Sequence, residues 1–309
     1  MAWEIVTWQM MKDYFVSSID GLNSMYQGCI DMFEISPYNL TGISGGNPYS
    51  AAAGLQNIID VVTGVVSSVA LSLCILFFMM EFFKKSMDLQ WVKWENVLMF
   101  MLKLIFAKII VENSTEIMMF IFDAFSGLAT SVNDQLTAVT GVQGFMPVRS
   151  LDEDPMATDY AFFFLTTEEY QYYYSDGGVF GLARWLKMIE LQPSIWIAQI
   201  IMLITGNIIF ARVFEIMVYT MISPIPLASF SSEEHRQIGI SFIKSFAAVC
   251  LQALVIIVMF FAFSALGTQL NALQGTYASG SWGILLRVLT LGIGVFKSGS
   301  WAKKMCGAM

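Results

Sequence analysis

The sequence predicts an all-α, polytopic membrane protein of about five transmembrane helices, with its N-terminus outside and its C-terminus cytoplasmic. Three observations predict it. Of 309 residues, 56% are hydrophobic and only 13% charged, with a mean hydropathy of +0.64, whereas an ordinary soluble domain carries roughly 25% charged residues. Too few polar groups remain to coat a soluble particle, so lipid must be the solvent for much of the chain. Second, five stretches approach the roughly 20 apolar residues that a helix needs to cross about 30 Å of hydrocarbon with its backbone satisfied internally. Third, the basic residues gather in alternate connecting segments.

Taken in order, residues 1–54 read as an extracytoplasmic segment. Trp8, Met11, Phe15, Leu22, Tyr26 and Phe33 recur at three-to-four-residue spacing, the pattern of an amphipathic helix that lies on the bilayer, on its own spans or against a partner. The run SPYNLTGISGGNPYS that follows reads as a loop. Residues 55–122 hold the first two spans and a cytoplasmic connector. Val61 to Met80 is free of charge and ends at Glu81, Lys84 and Lys85, while Val97 to Phe122 is interrupted by Lys103, Lys108, Glu112 and Glu116.

Residues 123–193 read as an acidic, aromatic-rich outer segment, with LDEDP followed by YAFFFLTTEEYQYYY. Aromatics this dense beside acids suit a contact surface or an interfacial belt. Residues 194–309 carry the last three spans. Ser194 to Ile222 stops at Ser223-Pro224-Ile225-Pro226, and residues 223–244 form a cytoplasmic loop. The uncharged stretch Ser245 to Leu286 is too long for one helix. Its middle, GTQLNALQGTYASG, divides it into spans near 245–266 and 281–297, followed by a basic cytoplasmic tail.

This layout puts Lys84, Lys85, Lys93, Arg236, Lys244, Lys297, Lys303 and Lys304 on one side and only Lys12, Arg149, Arg184 and Lys187 on the other. Basic residues mark the cytoplasmic face. Formal net charge is -8, from 16 Lys+Arg against 24 Asp+Glu, so the surface as a whole repels nucleic-acid phosphate.

Charges inside spans single out candidate site residues, because each costs about 2.5 to 3.5 kcal/mol at the bilayer centre on insertion scales unless paired or wet. Thr205, Arg212, Glu215 and Tyr219 share one stripe, with Arg212 and Glu215 spaced i, i+3; Lys108, Glu112 and Glu116 follow i+4 steps, and Lys103 is free to snorkel. Gly280, Gly283, Arg287, Thr290 and Gly294 make a small, polar face on the last span. Lys108, Glu112, Arg212, Glu215 and Arg287 therefore either line a polar path or fix helix packing. Glu233, Glu234 and Arg236 in the cytoplasmic loop are the candidate partner contact, or a plain solvated turn.

Other chemistry finds no support in the sequence. Cys74 and Cys250 sit in apolar runs and Cys29 and Cys306 near opposite ends, the lone His235 lies in SSEEHR, and there is no HExxH, nucleophile elbow or phosphate-binding glycine loop. No enzyme, cofactor or metal site is expected.

The run GLARWLKMIELQPSIWIAQIIMLITGNIIFARVFEIMVYTMISPIPLASF, then SSEEHRQIG and ISFIKSFAAVCLQALVII, resembles the TrbL-like polytopic inner-membrane subunits of conjugative type IV secretion systems. The likeness rests on a long span ending in the proline-and-small-residue stretch Ser223 to Ala228, a polar turn, Gln252 early in the next span, and the glycine-rich Ile284 to Gly299. It covers residues 178–300, and the first two spans by layout only. The acidic, tyrosine-rich outer segment departs from it. The resemblance implies a homo-oligomeric channel subunit on a mobile genetic element. Such a subunit works with other secretion subunits and separate ATPases to move relaxase-bound DNA or protein. An ion or small-solute transporter, and a membrane scaffold or pore-forming protein, are the competing classes; no inverted repeat of broken helices marks a secondary transporter.

Overall fold

The computed structural model describes residues 8–34, 51–87, 94–140, 182–274 and 281–308. Among these there is no strand. The elements are α1 (Trp8–Glu34), α2 (Ala51–Met87), α3 (Trp94–Glu112), α4 (Ser114–Thr140), α5 (Leu182–Ile222), the short α6 (Pro224–Ala228) with a 3-10 turn at Ser229–Ser231, α7 (Arg236–Gln274) and α8 (Ser281–Met305). Among the described residues, four helical stretches are long and apolar enough to cross a membrane: Ile58–Met87, Ser114–Val139, Gln192–Ile222 and Arg236–Phe263. Their outward faces fit that solvent. On α2, Val61 and Val65 stand 67% and 63% exposed, which water would penalise and acyl chains do not.

Two expectations are corrected. The stretch Val97 to Phe122 is divided between α3 and α4 at the turn residue Asn113, whose side-chain amide joins its own backbone N–H in donating to the Ile109 carbonyl, at 2.9 and 3.0 Å. An asparagine that competes for its own backbone is a natural place for a break. The helix that resumes at Ser114 runs to Thr140, so Asp123 to Thr140 belongs to an apolar helix and not to an outer loop. The aromatic string at 160–174 lies outside the described residues, as does the loop at 36–50. The second correction concerns residues 223–244. They form α6, the 3-10 turn and the first turns of α7, with Ser223, Leu227, Ala228, Ser229, Ser231 and Ser232 all buried.

The chain forms two compact units. The first comprises Met1–Phe33, Ala129–Ile209 and Leu254–Ser298. Here the expected amphipathic helix forms as α1 and buries Leu22, Tyr26, Cys29 and Ile30. The Tyr26 ring meets Phe260 edge-on at 5.3 Å, its hydroxyl donates to Asn133 at 3.4 Å, and the Tyr14 hydroxyl donates to Gln192 at 2.5 Å. Burial pushes the Cys29 thiol up to about 11, so it packs as a small apolar group. A Cβ added to Gly292 would stand 3.0 Å from Ile201, so the glycines of α8 admit large side chains here.

The second unit comprises Glu34–Leu128, Phe210–Ala253 and Gly299–Met309. Its described residues include two apolar clusters. One gathers Met118, Phe122, Ile216, Phe246, Val249 and Cys250 from α4, α5 and α7. The other sets Ala228 of α6 against Ala70 and Cys74 of α2 and Ala107 and Val111 of α3. The residues of this second cluster are small, which lets three backbones approach closely.

Candidate functional site

The second cluster explains how a proline-rich connector comes to lie between helices. Pro224 and Pro226 remove two backbone donors and prevent α5 from continuing. A five-residue helix follows, with Pro224 at its first turn. The serines donate to carbonyls at the ends of both helices: Ser223 Oγ to Thr220 O of α5 at 2.8 Å, Ser229 Oγ to Pro226 O of α6 at 2.6 Å and Ser231 Oγ to Ala228 O of α6 at 2.8 Å. A polar segment is thereby made compatible with burial. Ala70 and Cys74 lie mid-way along the uncharged run Val61 to Met80, so α6 sits beside the middle of that run.

Gly239 closes the connector. Its N–H donates to Ser229 Oγ at 3.0 Å, and a Cβ there would fall 2.8 Å from the Phe230 ring. His235 stacks on Phe77 of α2 at 4.7 Å and meets Ser232 Oγ at 3.3 Å. It is half-buried, not free in a solvated turn.

About 10 Å along α2 from Cys74, seven residues at 1.5 Å rise, a charge cluster pins the connector. Glu81 is 6% exposed and accepts the Glu233 N–H at 2.8 Å. Its carboxylate lies 2.9 Å from Lys85 and 3.9 Å from Lys103 of α3. Lys103 also pairs directly with Glu233, and Lys85 reaches Glu233 at 3.6 Å. On the rim Lys84 pairs with Glu234. The hydrogen bond from Lys103 holds the Glu233 carboxyl below the usual carboxylate range, and that from Lys84 does the same for Glu234. Segments of α2, α3 and the connector are thus tied by Lys85, Lys103 and Glu233 around one buried acid, with Lys84–Glu234 as a rim pair.

The predicted site residues distribute as follows. Lys108 and Glu112 pair at 3.5 Å along α3, both exposed. Arg212 is 3% exposed; its Nε donates to Val249 O at 2.8 Å and its Nη2 to Cys250 O at 3.3 Å, which clamps α5 to α7. Glu215, one turn on, is exposed, and Tyr219 packs against Phe242 at 5.3 Å. Thr205 is buried and donates to Ile201 O of its own helix at 2.8 Å. Thr290 likewise donates to Leu286 O, and the Arg287 side chain lies outside the described residues. Glu233 and Glu234 are engaged by lysines of the same chain, while Arg236 is exposed.

Sequence reading missed Glu81 as the hub. The available signal was an acid closing an apolar run with Lys84 and Lys85 at i+3 and i+4; its partners Lys103 and Glu233 had no local signal. A second missed feature is a groove of about 450 Å³ lined by Glu215, Gln252, Ser300 and Lys303 among others. No family model matches the chain, and neither does any curated protein or solved structure with which it was compared.

Proposed function

We propose that the protein is a multi-pass subunit of the cytoplasmic-membrane channel of a conjugative type IV secretion system. It has five spans, with the N-terminus outside, and assembles as a homo-oligomer. It would help relaxase-bound DNA or protein cross the membrane, with energy supplied by separate ATPases. One observation carries the reading. The stretch Ser223 to Ala228, through which the chain resembles TrbL-like subunits, is a buried connector packed on α2 and α3, and just beyond it the Glu233 N–H is held by Glu81 and the Glu233 carboxylate by Lys103. Such an element can pass a push from a cytoplasmic motor to the spans, because Arg236 lies exposed beside a segment that reaches the mid-region of α2. Arg212, Glu215, Lys108, Glu112 and Arg287 would then hold or line the path.

The test is transfer frequency from a donor carrying the protein. Deletion abolishes transfer, and the wild-type gene restores it. A double replacement of Arg212 and Glu215 by Leu inserts normally and does not restore it. Undiminished transfer after deletion, or ion or metabolite flux through the purified protein alone in liposomes, would overturn the proposal.

A further inference from the structure

We propose that the groove among α5, α7 and α8 in the second unit binds the headgroup of an ethanolamine phospholipid from the adjoining leaflet. The inference depends on the chain lying in a membrane and not on the transport reading. The groove measures about 450 Å³, enough for a headgroup and the start of its chains. Two opposite charges face it, Glu215 from α5 and Lys303 from the last turn of α8. Both are exposed, and among the described residues no ion pair joins them. A carboxylate and an ammonium held apart across one groove complement a zwitterion: a primary ammonium donates to Glu215 while a phosphodiester accepts from Lys303 and the Ser300 hydroxyl.

Gly299 contributes by close approach. A Cβ there would stand 3.3 Å from Gln252 Nε2, so the glycine lets the amide lie flat on the groove wall.

The surroundings point to lipid and not to a soluble zwitterion. Ala211, Val218 and Ile222 share the face of Glu215 at helical spacing and are all exposed, so the groove opens on an apolar surface where acyl chains can lie. Trp301 is 39% exposed next to Ser300, and Lys303 and Lys304 end the helix as interfacial anchors do. A choline headgroup cannot donate a hydrogen bond to Glu215, and an anionic headgroup leaves that carboxylate opposed.

Native mass spectrometry of the full chain, with phosphatidylethanolamine, phosphatidylcholine and phosphatidylglycerol of matched chains, tests this. One ethanolamine lipid per chain is expected to bind in preference to the other two. Glu215→Gln and Lys303→Met each lower it about tenfold, the loss of one charged hydrogen bond. Lys304→Met leaves it unchanged, and the exchange Glu215→Lys with Lys303→Glu recovers most of it. Equal binding of the three lipids, no loss in either single variant, or displacement by soluble glycerophosphoethanolamine at equal concentration would each overturn the proposal. Circular dichroism confirms that each variant is helical.

Discussion

Helix α3 carries two lysines five residues apart that differ in everything but type. Lys108 pairs with Glu112 on the same helix, both largely exposed. Lys103 bonds Glu233, 130 residues away, and approaches the buried Glu81. The first pair adds little to what α3 already is, since exposed i, i+4 pairs contribute about 0.3–0.5 kcal/mol. The second decides where a connector sits. What separates them is burial of one member: Glu81 has lost its water and must be satisfied by protein, so removing any partner is costly.

The largest effect is expected at that hub. Glu81→Leu leaves Lys85 and Lys103 without their shared carboxylate and the Glu233 amide without an acceptor. Thermal unfolding in detergent should show a loss of about 2 kcal/mol, reduced from the usual figure for a buried pair because both lysines keep about 30% exposure. Stability within 0.5 kcal/mol of wild type, by the same order-of-magnitude scale, would place Glu81 on a par with Glu112 and erase the contrast.

Gly239→Ala attacks the same connector without touching a charge. The new methyl meets the Phe230 ring and Ser229 Oγ, so the segment must move or strain at about 1–2 kcal/mol. Cys74 reports the outcome, because it is buried beneath Ala228: in a Cys306→Ser background its labelling by a membrane-permeant maleimide should rise severalfold. Labelling as slow as in the parent would mean that the connector is seated by the charge cluster alone.

Acid offers a graded version of the same test. Glu233 and Glu234 both titrate below their ordinary value of 4.5 in the folded chain, held down by Lys103 and Lys84. A depressed carboxylate gives its full contribution above the ordinary value and loses it as pH falls through the folded one. Hydrogen exchange across residues 229–239, corrected for intrinsic rate, should therefore be flat near neutrality and accelerate only below about pH 4.5. Acceleration that begins well above that pH would mean that these two carboxylates do not hold the segment.

The same contrast marks how far the sequence could be read. Hydropathy was enough for long apolar helices and no strand among the described residues, because span length and charge cost are local properties. The pair Lys108–Glu112 was legible for the same reason. Helix α1 was legible from its spacing, and Leu22 and Tyr26 are buried as that spacing requires. The break at Asn113 was not read, because a single polar residue among Glu112, Ser114 and Glu116 alters neither hydropathy nor period. Nor was the burial of residues 223–232. Serines and prolines read as a loop until the serine hydroxyls are seen to cap carbonyls of α5 and α6. Partners 130 to 152 residues apart leave no trace in spacing, so Glu81 looked like the end of a span and Glu233 like part of a surface turn.

The smallest effect is the sharpest discriminator. Double-mutant cycles remove each pair in turn, Lys103→Met with Glu233→Gln and Lys108→Met with Glu112→Gln, and measure coupling free of what each single change does alone. For Lys108 and Glu112 the coupling should not exceed about 0.5 kcal/mol and should vanish in molar salt if water bathes them. If the pair instead faces lipid, salt cannot screen it, and the coupling persists. The Lys103–Glu233 coupling should be the larger of the two, because Glu81 holds both partners in place at no further entropic cost. Equal couplings would mean that the buried acid organises nothing, and that the connector owes its position to α6 packing against Ala70, Cys74, Ala107 and Val111 alone.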